Sequence, residues 1–104
     1  MFVINTSFHV HKSIEDSFLI WLKEIFIKSA LCDDAFSDVT LMRLLLEVQE
    51  DSSSFSVGLL SEDLDSAFEW NETKGADLLS ELLRQFGSDK VVFFTTCMQC
   101  LPLH

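Results

Sequence analysis

Tyrosine is absent from the 104 residues, proline occurs once and glycine three times. So few glycines leave no room for a glycine-rich phosphate loop. No Walker, dinucleotide or G-x-S-x-G fingerprint is present either. Basic side chains are scarce: seven Lys and Arg face 17 Asp and Glu, for a formal net charge of -10. Such a surface repels phosphate backbones and anionic lipid heads, so neither nucleic acid nor a membrane is an expected partner. Long hydrophobic runs are missing as well. The longest starts at Phe18 and is stopped by Lys23, well short of the ~18 residues of a membrane span. The start, Met1 to Asn5, has no basic stretch followed by an apolar one, which leads to an expected cytoplasmic location. Cysteine is limited to Cys32, Cys97 and Cys100, an odd and unevenly spaced set unlike a disulfide framework.

What is present is a folding composition, 48% hydrophobic against 23% charged, with ten Phe and two Trp to build a core. The length suits one domain, residues 1–104, and is too short for two. Residues 2–11 alternate as a strand, with Phe2, Ile4, Phe8 and Val10 on one face and Asn5, Ser7, His9 and His11 on the other. Ser13 is placed to cap a helix over about 14–30 whose buried stripe is Ile14, Phe18, Trp21, Leu22 and Ile25. Ile20 and Ile27 lie on its far side. The stretch 38–50 reads as a long strand, and 50–53 as a polar turn. Alternation at Phe55, Val57 and Leu59 marks a third strand. Ser61 then caps a second helix, which 73–75 should break or bend and which Gly87 ends. A last strand covers 90–97.

The order β-α-β-β-α-β predicts an α+β, ferredoxin-like fold: a four-stranded antiparallel sheet with both helices on one face. No iron–sulfur cluster is implied, and three Cys cannot ligate one alone. The helix-free face should be polar, yet it is not. The second strand offers Leu41 and Leu45, and the last offers Val91 and Phe93 or Val92 and Phe94. A monomer rarely exposes so large an apolar patch, so a second copy of the chain is the expected cover. Leu41, Leu45, Val91 and Phe93 are the expected interface.

The chain resembles a family of short, uncharacterised bacterial proteins, a domain of unknown function with a ferredoxin-like, dimeric α/β-barrel-type fold. The likeness spans nearly the whole chain. It rests on Asn5, the run Trp21-Leu22-Lys23-Glu24, the run Met42-Arg43-Leu44-Leu45, and Phe86-Gly87 followed by Asp89 and Val91-Val92-Phe93. It implies fold and pairing, not activity. Where the family pattern has His followed by Ile and Pro in the first helix, this chain has Phe26-Ile27-Lys28. Two further family His positions hold Lys74 and Leu82.

Candidate chemistry is sparse. His9 and His11 share a strand face as an H-x-H pair, and Cys97-Met98-Gln99-Cys100 is an isolated C-x-x-C with His104 beyond it. Neither supplies the three or four ligands a metal site needs. No metal and no cofactor are therefore expected. Arg43 lies among leucines, where a charge is costly unless paired, and Glu47 on the same face is its expected partner; anion recognition is the other use of that guanidinium. Asn5, His9, Arg43 and Glu47 would then form a polar cluster in an apolar surround, the make-up of a small-molecule pocket. Two function classes remain. One is a homodimeric interaction or small-ligand-binding module. The other is a cofactor-free enzyme of the dimeric α/β-barrel type acting on a small organic substrate, with His9 and Glu47 as its acid–base candidates. Elemental analysis of the purified protein is expected to find no stoichiometric metal. About one zinc or iron per chain, lost on mutating His9/His11 or Cys97/Cys100, would contradict this.

Overall fold

Strand β1, Phe2–His11, is the alternating segment expected from the sequence, and it lies in the middle of the sheet. The computed structural model describes residues 1–46 and 49–103. Ile4, Phe8 and Val10 point to one side and are at most 1% exposed, while Asn5, Ser7 and His9 on the other side stay half-buried. The remaining strands are β2 (Asp38–Arg43), β3 (Ser52–Ser61) and β4 (Val91–Gln99), in the order β2-β3-β1-β4 with every neighbouring pair antiparallel. This is the ferredoxin-like arrangement. The polar 50–53 segment is not all turn, because β3 already starts at Ser52; β2 stops at Arg43, short of the expected Glu50.

Both helices cover the Ile4–Phe8–Val10 side. Helix α1 runs from Glu15 to Leu31 in three stretches, α-helical Glu15–Trp21, π-helical Leu22–Ile27 and α-helical Lys28–Leu31. The wider π turns shift the phase of the buried stripe. Phe18, Leu22, Phe26 and Ala30, each four apart, are fully buried, whereas Ile25, expected inside, is 45% exposed. Ile27 turns inward to pack against the core, and Ile20 alone of the two expected outer isoleucines stays well exposed. Ser13 is not the cap. A 3-10 turn, Lys12–Ile14, precedes the helix, and the His11 ring accepts the Ser13 N–H at 3.0 Å.

Helix α2 comprises Leu64–Trp70, a π-helical Asn71–Gly75 and Ala76–Phe86, so the expected break at 73–75 is a widened turn. Its cap is Asp63 rather than Ser61: a carboxylate oxygen accepts the Asp65 N–H at 3.1 Å. The Ser61 hydroxyl instead accepts the Asp63 N–H at 3.1 Å and holds the turn leading in. Gly87 ends α2 with φ of 90°, a backbone that L side chains rarely adopt. Between sheet and helices lies an aromatic cluster. Phe8 meets Phe18 at 5.2 Å between centroids and Phe26 at 5.9 Å, and Trp70 sits edge-on to Phe36 at 5.1 Å.

Gly75 shows why a poor helix former sits within α2. A Cβ there would lie 2.8 Å from Cζ3 of the buried Trp70 ring. In an open helix Gly→Ala gains ~1 kcal/mol, but overpacking a core costs ~1–3 kcal/mol. Gly75→Ala is therefore expected to lower stability in a urea titration. A stabilised variant would show that Trp70 moves aside freely.

Candidate functional site

The pairing registers decide which side chains share the helix-free face. Asn5 stands opposite Gly58 and Thr96, Ser7 opposite Ser56 and Phe94, and His9 opposite Ser54 and Val92; Met42 of β2 pairs with Ser56. The two middle strands therefore contribute a floor of hydroxyl, amide and imidazole groups. The two edge strands contribute apolar rims, Met42 and Leu44 on one side and Val92, Phe94 and Met98 on the other, each about half exposed or more. Between these rims lies a groove of about 620 Å³ that holds Ser7, His9, Ser54 and Ser56 and is bordered by Met42, Leu44, Val92 and Phe94.

The floor is internally bonded. His9 Nδ1 lies 2.8 Å from Ser54 Oγ and His9 Nε2 3.3 Å from Gln49 Oε1. Asn5 Oδ1 accepts the Ser56 hydroxyl at 2.8 Å, and Asn5 Nδ2 donates to Ser7 Oγ at 3.5 Å. Each side chain is thereby held in one orientation, with polar capacity left toward the groove. No Asp, Glu or Lys side chain is among the groove's described lining residues. The hydroxyls Ser7, Ser54 and Ser56 and the residue Gln49 are absent from the expected cluster. The alternation of serines with Phe55 and Val57 along β3 is the signal that marks Ser54 and Ser56.

Other expected site residues fall elsewhere. Asn5 and His9 do share the open face. Arg43 pairs with Phe55 and so belongs to the helix side, bordering the groove only at its end. Glu47 lies outside the described residues. The Arg43 guanidinium is taken by Glu15 at the start of α1, at 3.1 Å, and it stacks 4.7 Å from the centre of the Phe55 ring. Leu41, Val91 and Phe93 are likewise on the helix side. Val91 is 1% exposed, and Leu41 and Phe93 pack against the core, so the open face is carried by the alternate residues Val92 and Phe94. The parity of β4 follows from Phe93 pairing with Phe8. Leu45 stands beyond the end of β2 and is 85% exposed.

Among the described residues no three His, Cys, Asp or Glu side chains gather as metal ligands. His11 approaches Asp51 at 3.7 Å, and the Ser52 hydroxyl lies 3.3 Å from both Asp51 Oδ1 and Gln49 Oε1. Cys97 and Cys100 are exposed thiols at the end of β4. The positions where the family pattern differs lie on the helices: Phe26 and Leu82 are buried in the core, and Lys74 is an exposed partner of Asp33 at 3.9 Å. None of the three borders the groove. No described helix is long and apolar enough to cross a membrane.

The chain belongs to the family described as a domain of unknown function, DUF4286, which it matches over residues 1–101. No curated protein matches it. Among solved structures it is similar to a dimeric ferredoxin-like protein from an uncultured marine organism, with a TM-score of 0.67, 12% identity and coverage of 100% of this chain and 98% of that one. It is also similar to a proposed antibiotic biosynthesis monooxygenase from Deinococcus radiodurans, with a TM-score of 0.69, 13% identity and coverage of 98% and 95%. A dabb family protein with a ferredoxin-like fold from Mesorhizobium loti gives a TM-score of 0.59 at 14% identity, covering 98% of this chain and 100% of that one. Identities this low carry the fold alone.

The Ser53 hydroxyl, followed by the Arg43 guanidinium, holds the Glu15 carboxyl below its usual range; both donate hydrogen bonds to it. A carboxylate with a lowered folded pKa stabilises the fold above its unfolded pKa, and that contribution is lost as pH falls through the folded value. Glu15→Gln is therefore expected to cost about 1 kcal/mol at neutral pH, as a half-exposed pair does. The gap between wild type and variant should close in acid, below the carboxylate range. Denaturant titrations at the two pH values check this, and a gap that persists unchanged in acid would contradict it.

Proposed function

For this member of the DUF4286 family we propose a homodimeric small-ligand-binding module, in which two copies turn their open sheet faces toward each other and hold a small organic molecule between them. The observation that carries this reading is the cross-section of the groove: a bonded polar floor sunk between apolar rims. A flat apolar body would rest on Met42, Leu44, Val92 and Phe94, and its oxygen or nitrogen substituents would meet His9, Ser54, Ser56 and Asn5. The dimer described for one structural neighbour supports the pairing.

Energetics favour an apolar contact. Removing four or five such side chains from water gains several kcal/mol at ~1.5–3 kcal/mol each, before the cost of association. A net charge of -10 on each copy opposes pairing, so the contact must avoid the acidic helix side. The open face meets that condition, since its described groove lining holds no acidic side chain. The exposed Ile20 on α1 is a competing contact, but its strip is interrupted by Asp16, Lys23 and Glu24.

Native mass spectrometry of the purified protein tests both halves of the proposal. A dimer carrying a co-purified or added small apolar ligand is expected. Phe94→Asp should give a folded monomer and lose the ligand, whereas Ile20→Asp should leave the dimer intact. A dimer that survives Phe94→Asp and dissociates with Ile20→Asp would move the interface to the helix and overturn the reading.

A further inference from the structure

We infer that the groove selects a neutral aryl carbonyl compound, such as an aromatic ketone, with its oxygen on the Ser7 hydroxyl and its ring against Phe94. This ligand class rests on the ligand-binding reading of the same groove and makes it specific. A row of residues runs straight across the open face. Met42 pairs with Ser56, Ser56 with Ser7 and Ser7 with Phe94, one residue from each strand. At about 4.8 Å per strand the row spans about 14 Å. It is apolar at both ends and carries hydroxyls in the middle, and all four residues line the groove.

The hydrogen bonds around Asn5 give this row a direction. The Ser56 hydroxyl donates to Asn5 Oδ1 at 2.8 Å, which spends the Ser56 proton and turns the amide nitrogen toward Ser7. Asn5 Nδ2 then donates to Ser7 Oγ at 3.5 Å, so Ser7 meets Asn5 with a lone pair. Among the described residues nothing accepts the Ser7 proton, and Ser7 faces the groove. The complement of that donor is a group that only accepts. A carbonyl oxygen is such a group, whereas a ligand hydroxyl brings a proton that needs an acceptor of its own. Phe94 stands directly opposite Ser7, with Cβ atoms about 5 Å apart, which suits a ring bonded directly to the carbonyl carbon. A carboxylate is the poorer fit. The single Lys or Arg of the described lining, Arg43, is engaged by Glu15 at 3.1 Å, and the chain carries a net charge of -10. Ser7 is thus the specificity-determining residue and Asn5 a positioning residue that aims its proton.

Equilibrium dialysis of the full-length protein against 2-acetonaphthone, 2-isopropenylnaphthalene and 2-naphthoate is the test. The alkene has the shape of the ketone with CH2 in place of the oxygen. The ratio of ketone to alkene affinity is expected to fall about 5- to 10-fold in Ser7→Ala, while the alkene still binds. Asn5→Asp replaces the amide donor with a second acceptor and draws the Ser7 proton away from the groove. It should lower the ratio by a similar factor. Ser56→Ala should leave the ratio unchanged, since that proton is spent on Asn5. Infrared spectra of the bound ketone give a second readout. Its carbonyl stretch should lie below the value in hexane for the wild type and return toward that value in Ser7→Ala and Asn5→Asp. A stretch still lowered in Ser7→Ala puts the carbonyl on another donor and overturns the assignment. A ratio unmoved by Asn5→Asp overturns the role of Asn5. Naphthoate binding tighter than the ketone overturns the neutral class. Ketone and alkene binding with a ratio unmoved by Ser7→Ala overturns the carbonyl selection and leaves the binding module standing. Absence of binding by all three probes overturns both.

Discussion

Burial of Ile4, Phe8 and Val10 beneath the helices is the constraint from which the rest of the molecule follows. They sit on the central strand β1, which pairs with β3 on one side and β4 on the other. In a strand the side chains alternate, so committing these three to the core commits Asn5, Ser7 and His9 to the opposite face. Antiparallel pairing then passes that parity outward. Phe55 and Phe93 are drawn inside opposite Phe8, and Ser54, Val92, Ser56 and Phe94 are sent outside. A one-residue slip of β3 against β1 would put Phe55 on the floor of the groove and Ser54 and Ser56 under the helices, and a slip of β4 would exchange Phe93 for Phe94 in the core. Burying those hydroxyls without partners would be costly.

The resulting open face reverses the usual arrangement of a sheet, with its polar groups in the middle and its apolar groups at the edges. The hydroxyl and imidazole groups of the middle strands bond one another, so they are ordered before any ligand arrives. The edges supply the apolar contact. This order suits a molecule laid flat on the sheet, or a second sheet laid over it, better than it suits open water. The acidic charge of the chain is meanwhile spread over the helices and loops. Asp63, which caps α2, is held below the usual carboxylate range first by the Ser66 hydroxyl and also by backbone N–H groups.

Arg43 shows how a charge among leucines can serve structure. Its guanidinium lies over the Phe55 ring and meets Glu15, which in turn accepts the Ser53 hydroxyl. The trio ties the end of β2 to the start of α1, at the place where β2 leaves the sheet and Leu44 begins the groove's rim. The planar guanidinium can stack and donate at once, which an ammonium cannot do as well. Arg43 thus borders the groove at its end and also holds the stretch of chain that carries Leu44.

Local pattern was enough to place β1 and both helices, and Gly87 at the end of α2, because alternation, helical stripes and a left-handed glycine are written in neighbouring residues. The same pattern brought Asn5 and His9 to one face. It misassigned Ile25, because the π-helical stretch Leu22–Ile27 leaves no local mark, whereas the one in α2 was signalled by Thr73-Lys74-Gly75. It also put Val91 and Phe93 on the open face of β4, which is the wrong choice, since Val91-Val92-Phe93-Phe94 is apolar on both faces and offers no local sign of parity. The pairing of Phe93 with Phe8, an interaction between residues 85 positions apart, settles that choice. The partner of Arg43 was hidden for the same reason: Glu15 and Arg43 are 28 positions apart and meet only when α1 folds over the sheet. Sequence alone determined the elements and the polar side of β1, because those depend on residues within a few positions of one another. Tertiary structure alone decided which apolar residues wall the groove and which serine stands beside His9, because strand register is a long-range choice made by the core.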